Sequence, residues 1–231
     1  MITDTIISIL EIIGTIAFAI SGAFIAISSG LDIFGVVCIG CITALGGGVI
    51  RDVLIGRTPP AVFQNLQMVA LAAVTAIIVF IIARCNRRKF NPLRQKVEYV
   101  NNIFDAMGLA AFSVMGTEVA FSEGVSDNAF LAVVLGMLTG IGGGVIRDVL
   151  TDDTPVVFRK YVYALASIAG SVLYYVMRLK MENPVFPAIL SMVLVFVIRM
   201  LATKYRWSLP KIRFEECGEK ENAEAKESVH K

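Results

Sequence analysis

Two Arg-Asp pairs, Arg51-Asp52 and Arg147-Asp148, stand inside stretches that are otherwise apolar. A guanidinium and a carboxylate at membrane depth are costly unless they find partners or water. Such pairs can hold a substrate carboxylate, form an ion-paired constriction, or line a wet path. Each pair belongs to one octapeptide: Gly46-Gly47-Gly48-Val49-Ile50-Arg51-Asp52-Val53 recurs letter for letter at Gly142-Gly143-Gly144-Val145-Ile146-Arg147-Asp148-Val149. Three consecutive glycines weaken a helix by roughly 1 kcal/mol apiece relative to alanine. A device this costly, present twice, suggests a pair of broken helices lining a polar path, and so the passage of a small solute.

The glycines have two readings. Without Cβ atoms they let another helix approach the backbone; alternatively they form a hinge or unwound turn whose freed backbone groups face water or a permeant. The arginines also have two. Gly47 lies about 14 residues into its apolar run, or ~21 Å at the helical rise, which puts Arg51 near the edge of the hydrocarbon, where it could snorkel to the headgroups. A break at the glycines would instead start a short new helix, with Asp52 favoured in its first turn and Arg51 disfavoured there. An arginine held against the dipole needs a partner, a carboxylate or freed carbonyls. Arg147 and Asp148 repeat the arrangement at the opposite face, and a constriction at each mouth would suit gating.

Glu11 and Asp105 are the other acids in apolar runs. They either pair with Arg147 or Arg51, attract cations, or sit as interfacial acids. Glu118, near the end of its run, has no role on this reading. Tyr161, Tyr163, Tyr174 and Tyr175 read as a belt at the membrane interface.

The elements that must position these groups follow from composition. Hydrophobic residues make up 56% of the 231 and charged residues 17%, against about 25% charge in a soluble domain; mean hydropathy is +0.74. Seven apolar runs, each near the ~20 residues that cross a bilayer, are predicted over Thr5–Ser28, Ile33–Ile55, Val62–Ala83, Val100–Phe121, Ala129–Leu150, Val157–Met177 and Val185–Thr203. The class is all-α: a polytopic membrane protein of seven transmembrane helices, arranged as two inverted three-helix repeats plus one peripheral helix.

The repeat extends beyond the octapeptide. Glu11 aligns with Asp105, Gly14 with Gly108, Ala17-Phe18 with Ala111-Phe112, Gly22 with Gly116, Thr43 with Thr139, and Thr58-Pro59 with Thr154-Pro155. Three spans per unit force the second copy to enter the membrane from the other side, and inverted repeats with interrupted helices point to a substrate or ion pathway. The units are 1–99, with a basic connection at its end, 100–180, the seventh helix 181–203, and a polar, disordered tail 204–231. The first run carries Asp4 and Glu11 and no basic leader, unlike a cleaved signal peptide.

Lysine and arginine set the orientation. Arg84, Arg87, Arg88, Lys89, Arg94 and Lys96 follow the third run, and Lys204, Arg206, Lys211 and Arg213 follow the seventh, on the same side. That side is therefore expected to be cytoplasmic, with the N-terminus outside a multi-pass cell (inner) membrane. Cys38, Cys41, Cys85 and Cys217 form no disulfide framework, and the single histidine, His230, lies in the tail. No metal site, cofactor or nucleic-acid partner is expected, and no nucleophile–base pair points to an enzyme. The lipid bilayer is the partner that composition dictates.

The duplicated Gly-Gly-Gly-x-x-Arg-Asp motif, followed by Thr-Pro, on a three-plus-three-plus-one arrangement resembles the prokaryotic branch of the TRIC (trimeric intracellular cation) channels, also described as bacterial membrane proteins with paired glycine-transporter domains. The resemblance covers approximately Ile6 to Met200. It implies a homotrimer with one water-filled pore per subunit between the repeats, and potassium-permeable, monovalent cation conduction; the transporter description implies instead passage of glycine or another small amino acid. It implies kinks at Gly46, Gly47 and Gly48 and at Gly142, Gly143 and Gly144, with pore charges at Arg51, Asp52, Arg147 and Asp148. Asp152-Asp153 stands where the first copy has Gly56-Arg57, so the two mouths differ in charge.

Overall fold

A computed structural model describes residues 2–64, 66–85, 94–159, 162–205 and 207. The described residues form helices only: α1 (Ile2–Ser28), α2 (Ile33–Leu54), α3 (Ala61–Gln64), α4 (Gln67–Cys85), α5 (Arg94–Ser122), α6 (Ala129–Leu150), α7 (Val156–Arg159), α8 (Val162–Arg178) and α9 (Val185–Lys204). Six of them are long and apolar enough to cross a membrane. The remaining apolar helix, α8, has 17 residues, the short end of the range that spans a bilayer (about 17–25). The predicted third and sixth spans are thus each split into a four-residue helix, α3 or α7, and a longer one. The basic stretch 86–93, Tyr161 and the tail from 208 onward lie outside the described residues.

The helix ends are set by local chemistry that both repeats share. Asp32 accepts a hydrogen bond from the Gly35 amide at 2.8 Å before α2, and Asn128 from the Leu131 amide at 3.0 Å before α6. Such caps satisfy amides that the first turn leaves without a partner. Both helices close alike: Arg57 N–H donates to the Asp52 carbonyl at 2.8 Å, and Asp153 N–H to the Asp148 carbonyl at 2.9 Å. This Schellman closure needs a left-handed residue, supplied by Gly56 (φ +75) in one copy and by Asp152 (φ +56) in the other.

The two repeats meet about a pseudo-two-fold axis, and their contacts are reciprocal. Gly14 faces the Phe112 ring while Gly108 faces the Phe18 ring, and the two rings lie 5.4 Å apart between centroids. At the α2–α6 crossing, a Cβ on Gly47 would strike the Thr139 carbonyl oxygen, and one on Gly143 would strike that of Thr43. Ile146 lies over Gly46 and Ile50 over Gly142, each at 3.0 Å from the Cβ position. Between them, α2 and α6 run without interruption through all six glycines. The unwound turn expected there is not formed: close tertiary packing of the two glycine-lined backbones outweighs glycine's low helix propensity.

Candidate functional site

Because the helices do not break, Arg51 and Arg147 occupy the last turns of α2 and α6 rather than the first turn of a new helix. A cation is favoured at that helix end. Neither arginine snorkels: Arg51 is 4% exposed and Arg147 1%. Each is gripped by its own neighbour. Asp52 Oδ1 accepts from Arg51 Nε at 2.9 Å and Nη2 at 2.7 Å; Asp148 Oδ1 accepts from Arg147 Nε at 2.8 Å. The second oxygen of each carboxylate binds the chain beyond: Asp52 Oδ2 takes the Ala61 amide that opens α3 (2.8 Å), and Asp148 Oδ2 the Val156 amide that opens α7 (2.9 Å). The Arg-Asp pair is therefore a tie between a long helix and the next segment.

Beyond this tie, the two ends part ways. At the Arg51 end a cavity of about 240 Å³ opens between the repeats. Glu11, Thr15, Arg51, Asp52, Arg57 and Gln64 give it polar walls, and Thr139, Phe112, Met115 and Gly48 also border it. Glu11 is half-buried and shares the cavity with Arg51, although among the described residues no ion pair within 4 Å joins them. Arg51 Nη1 and Thr15 Oγ1 are buried and have no hydrogen-bond partner.

The Arg147 end holds a buried ion cluster. Arg147 Nη1 donates to Ser21 Oγ at 2.8 Å and to Asp105 Oδ1 at 3.1 Å. Ser21 in turn donates to Asn101 at 2.9 Å. Asp105 is 2% exposed, so its reading as an interfacial acid is overturned and its pairing with Arg147 is the one observed. The other oxygen of Asp105 lies 3.6 Å from Arg199 Nη2. Arg199 comes from α9, is 1% exposed, and stacks over Tyr163 with 4.4 Å from its guanidinium carbon to the ring centroid. The seventh helix is thus more than a peripheral brace: it inserts a cation into the core.

Three further residues depart from expectation. Tyr163 and Tyr174 are 2% and 0% exposed rather than belt residues. Glu118, given no role above, is wholly buried; its Oε2 accepts from the Tyr174 hydroxyl at 2.6 Å and from Arg178 Nε at 3.3 Å. A hydroxyl column joins these two polar groups along α5 and α8: Ser113 and Ser167 share a 2.6 Å hydrogen bond, and Thr117 donates to the Ser113 carbonyl at 2.9 Å. The corresponding positions of the first repeat, Ala19, Ala23 and Ala72, are buried alanines.

Fold and site together define a multi-pass membrane protein made of two inverted repeats with a polar cavity at the Arg51 end. The family described as "Glycine transporter" matches residues 8–84 and 102–179, one segment in each repeat. The chain belongs to this family, the prokaryotic TRIC family. It is 33% identical to the UPF0126 inner membrane protein YadS of Escherichia coli K12, over 90% of this chain and 97% of that one. It is 34% identical to the UPF0126 membrane protein YvgT of Bacillus subtilis, over 89% and 96%. Among solved structures, a prokaryotic TRIC channel crystallised in 0.5 M KCl matches with a TM-score of 0.78 at 35% identity, covering 89% of this chain and 99% of that one. The TRIC trimeric intracellular cation channel orthologue from Rhodobacter sphaeroides matches with a TM-score of 0.78 at 26% identity, over 88% and 100%. YadS is described as an inner membrane protein and the solved relatives as channels, not enzymes, and the chain is accordingly a multi-pass inner-membrane protein.

Proposed function

We propose that the protein is a potassium-permeable monovalent cation channel that works as a homotrimer, with one pore in each subunit between the inverted repeats. The observation that carries this reading is the cavity at the Arg51 end, which reaches from the helix ends toward the α2–α6 crossing and has Glu11 in its wall. An arginine in a cation path would repel the permeant, but Asp52 offsets the charge of Arg51 at 2.7 Å. Arg57, which also lines the cavity, pairs with Glu123 at 3.5 Å, so Glu11 is the acid left to attract a cation. The trimer is supported by the relative from Rhodobacter sphaeroides, itself a trimeric channel. The lysine and arginine distribution supports an outward-facing Arg51 end and a cytoplasmic Arg147 end and C-terminus. The triplets Gly46–Gly48 and Gly142–Gly144 are the points at which α2 and α6 bend when the pore opens.

The family's description favours a second reading, transport of glycine or another small amino acid. Glu11 and Arg51 in one wall would offer a carboxylate to the ammonium and a guanidinium to the carboxylate. Flux into proteoliposomes, with potassium and glycine measured side by side, separates the two. Discrete potassium currents that do not saturate at moderate concentration are the expected result. Saturable glycine uptake with counterflow, and no unitary current, would replace the channel by a carrier.

A further inference from the structure

Two buried arginines share one carboxylate at the Arg147 end. Asp105 Oδ1 faces Arg147 Nη1 at 3.1 Å while Oδ2 faces Arg199 Nη2 at 3.6 Å. Arg147 is well supplied with partners, since Asp148 and Ser21 hold it as well. Arg199 is held less tightly by the described residues: its Nε and Nη2 make no hydrogen bond there, and its guanidinium stacks on the Tyr163 ring. A fully buried guanidinium with loose pairing costs free energy that a well-packed apolar residue would not.

The inverted repeat supplies an internal control. In the first repeat Glu11 stands for Asp105 and Met68 stands for Tyr163. Nothing stands for Arg199, because α9 has no twin. In that half the acid is half-buried, unpaired with its arginine, and beside an open cavity. In the second half the acid is 2% exposed and clamped between two cations. The same backbone architecture is thus open where the extra arginine is missing and shut where it is present.

We infer that Arg199 is a positioning residue that holds Asp105 against Arg147 and keeps the Arg147 end closed, with α9 as the element that engages or withdraws it. Its loose pairing suits that task, because a carboxylate bound to Arg147 at hydrogen-bond distance and to Arg199 only at 3.6 Å can be passed from one to the other by a small shift of α9. The inference rests on the pore lying between the repeats.

The test compares full-length wild-type protein with R199Q and with R199M, which removes the charge without leaving a polar group to satisfy. Two measurements are made: potassium flux in proteoliposomes, and amide hydrogen exchange in nanodiscs over the ends of α5, α6 and α8 around Asp105, Arg147 and Tyr163. The expected result is flux raised by roughly fivefold or more, the lower end of typical coupling between sites, with faster exchange confined to the Arg147 end. D105N should act alike, and R199M/D105N should add nothing to R199M. Wild-type flux and exchange in both Arg199 variants would overturn the inference. So would exchange that rises throughout the bundle, or failure of both variants to fold, since either assigns Arg199 to stability alone. If no protein passes potassium yet exchange rises locally at the Arg147 end, the latch stands and the channel reading fails.

Discussion

Phe18 and Phe112, drawn from equivalent positions of the two repeats, meet at the pseudo-two-fold axis with ring centroids 5.4 Å apart and planes inclined at 48°. Each ring occupies the space that the other repeat's glycine leaves: Phe112 lies on Gly14, and Phe18 on Gly108. Aromatic pairs of this kind contribute about 0.5–1.5 kcal/mol beyond the area they bury. Gly14→Ala is therefore expected to destabilise the protein by about 1–3 kcal/mol through overpacking. Phe112→Leu in the same chain should recover part of that loss. Thermal unfolding in detergent checks this, and equal loss in single and double variants would refute the contact as the cause.

The glycines of each triplet should separate by position. Gly47→Ala and Gly143→Ala drive a methyl into a carbonyl oxygen, and each should cost about 1–3 kcal/mol of stability. Gly48 has only an Arg51 nitrogen near its Cβ position, at 3.7 Å, so Gly48→Ala should fold normally and stiffen α2 by about 1 kcal/mol. A bend needed for opening would then show as reduced potassium flux from a protein of undiminished melting temperature. Undiminished flux from Gly48→Ala would leave the triplets with packing alone.

The two arginines should differ in what their loss does. Arg147→Met leaves Asp105 and Asp148 buried without their main cation, and breaking a buried pair from one side costs about 3–5 kcal/mol. Arg51→Met strands one carboxylate beside a cavity, and Asp52 keeps its bond to the Ala61 amide. Arg147→Met is thus expected to lower the melting temperature more. The reverse order would contradict the assignment of the closed end to Arg147.

Glu11→Gln should lower single-channel potassium conductance at low ionic strength, and by less at high salt, because attraction of ions to a mouth is screened. The same substitution leaves the described ion pairs untouched, so stability should change little. Conductance that falls equally at all salt concentrations would place the effect of Glu11 in the pore's shape instead.

Most of the architecture was legible because both periodicities that carry it are in the chain: apolar runs of bilayer length and the repeated octapeptide. The glycine break was misjudged because propensity is local, whereas the carbonyls of Thr139 and Thr43 that demand Gly47 and Gly143 come from the other repeat. Arg199 escaped because its helix has no twin against which to align it. Its signal was nonetheless present, for a lone arginine on the face of Ser191 and Val195 in an apolar span is a functional residue by default. Tyr163 and Tyr174 read as belt residues in the sixth run; what engages them instead, Arg199 over the Tyr163 ring and Glu118 at the Tyr174 hydroxyl, is a tertiary relationship. Aligning Ala19, Ala23 and Ala72 with Ser113, Thr117 and Ser167 would have shown beforehand that the second repeat is the polar one.

The reciprocal contacts at the α2–α6 crossing have the character of an isologous interface, in which one patch recognises its own copy. A half-length polypeptide with the first repeat's sequence, inserted in both directions, would meet itself through the same Gly47–carbonyl and glycine–phenylalanine contacts. Such a dual-topology dimer would have two identical ends. What fusion into one chain adds is the freedom to make the ends unlike: an alanine column can become hydroxylated on one side only, and a single appended helix can close one mouth while leaving the other open.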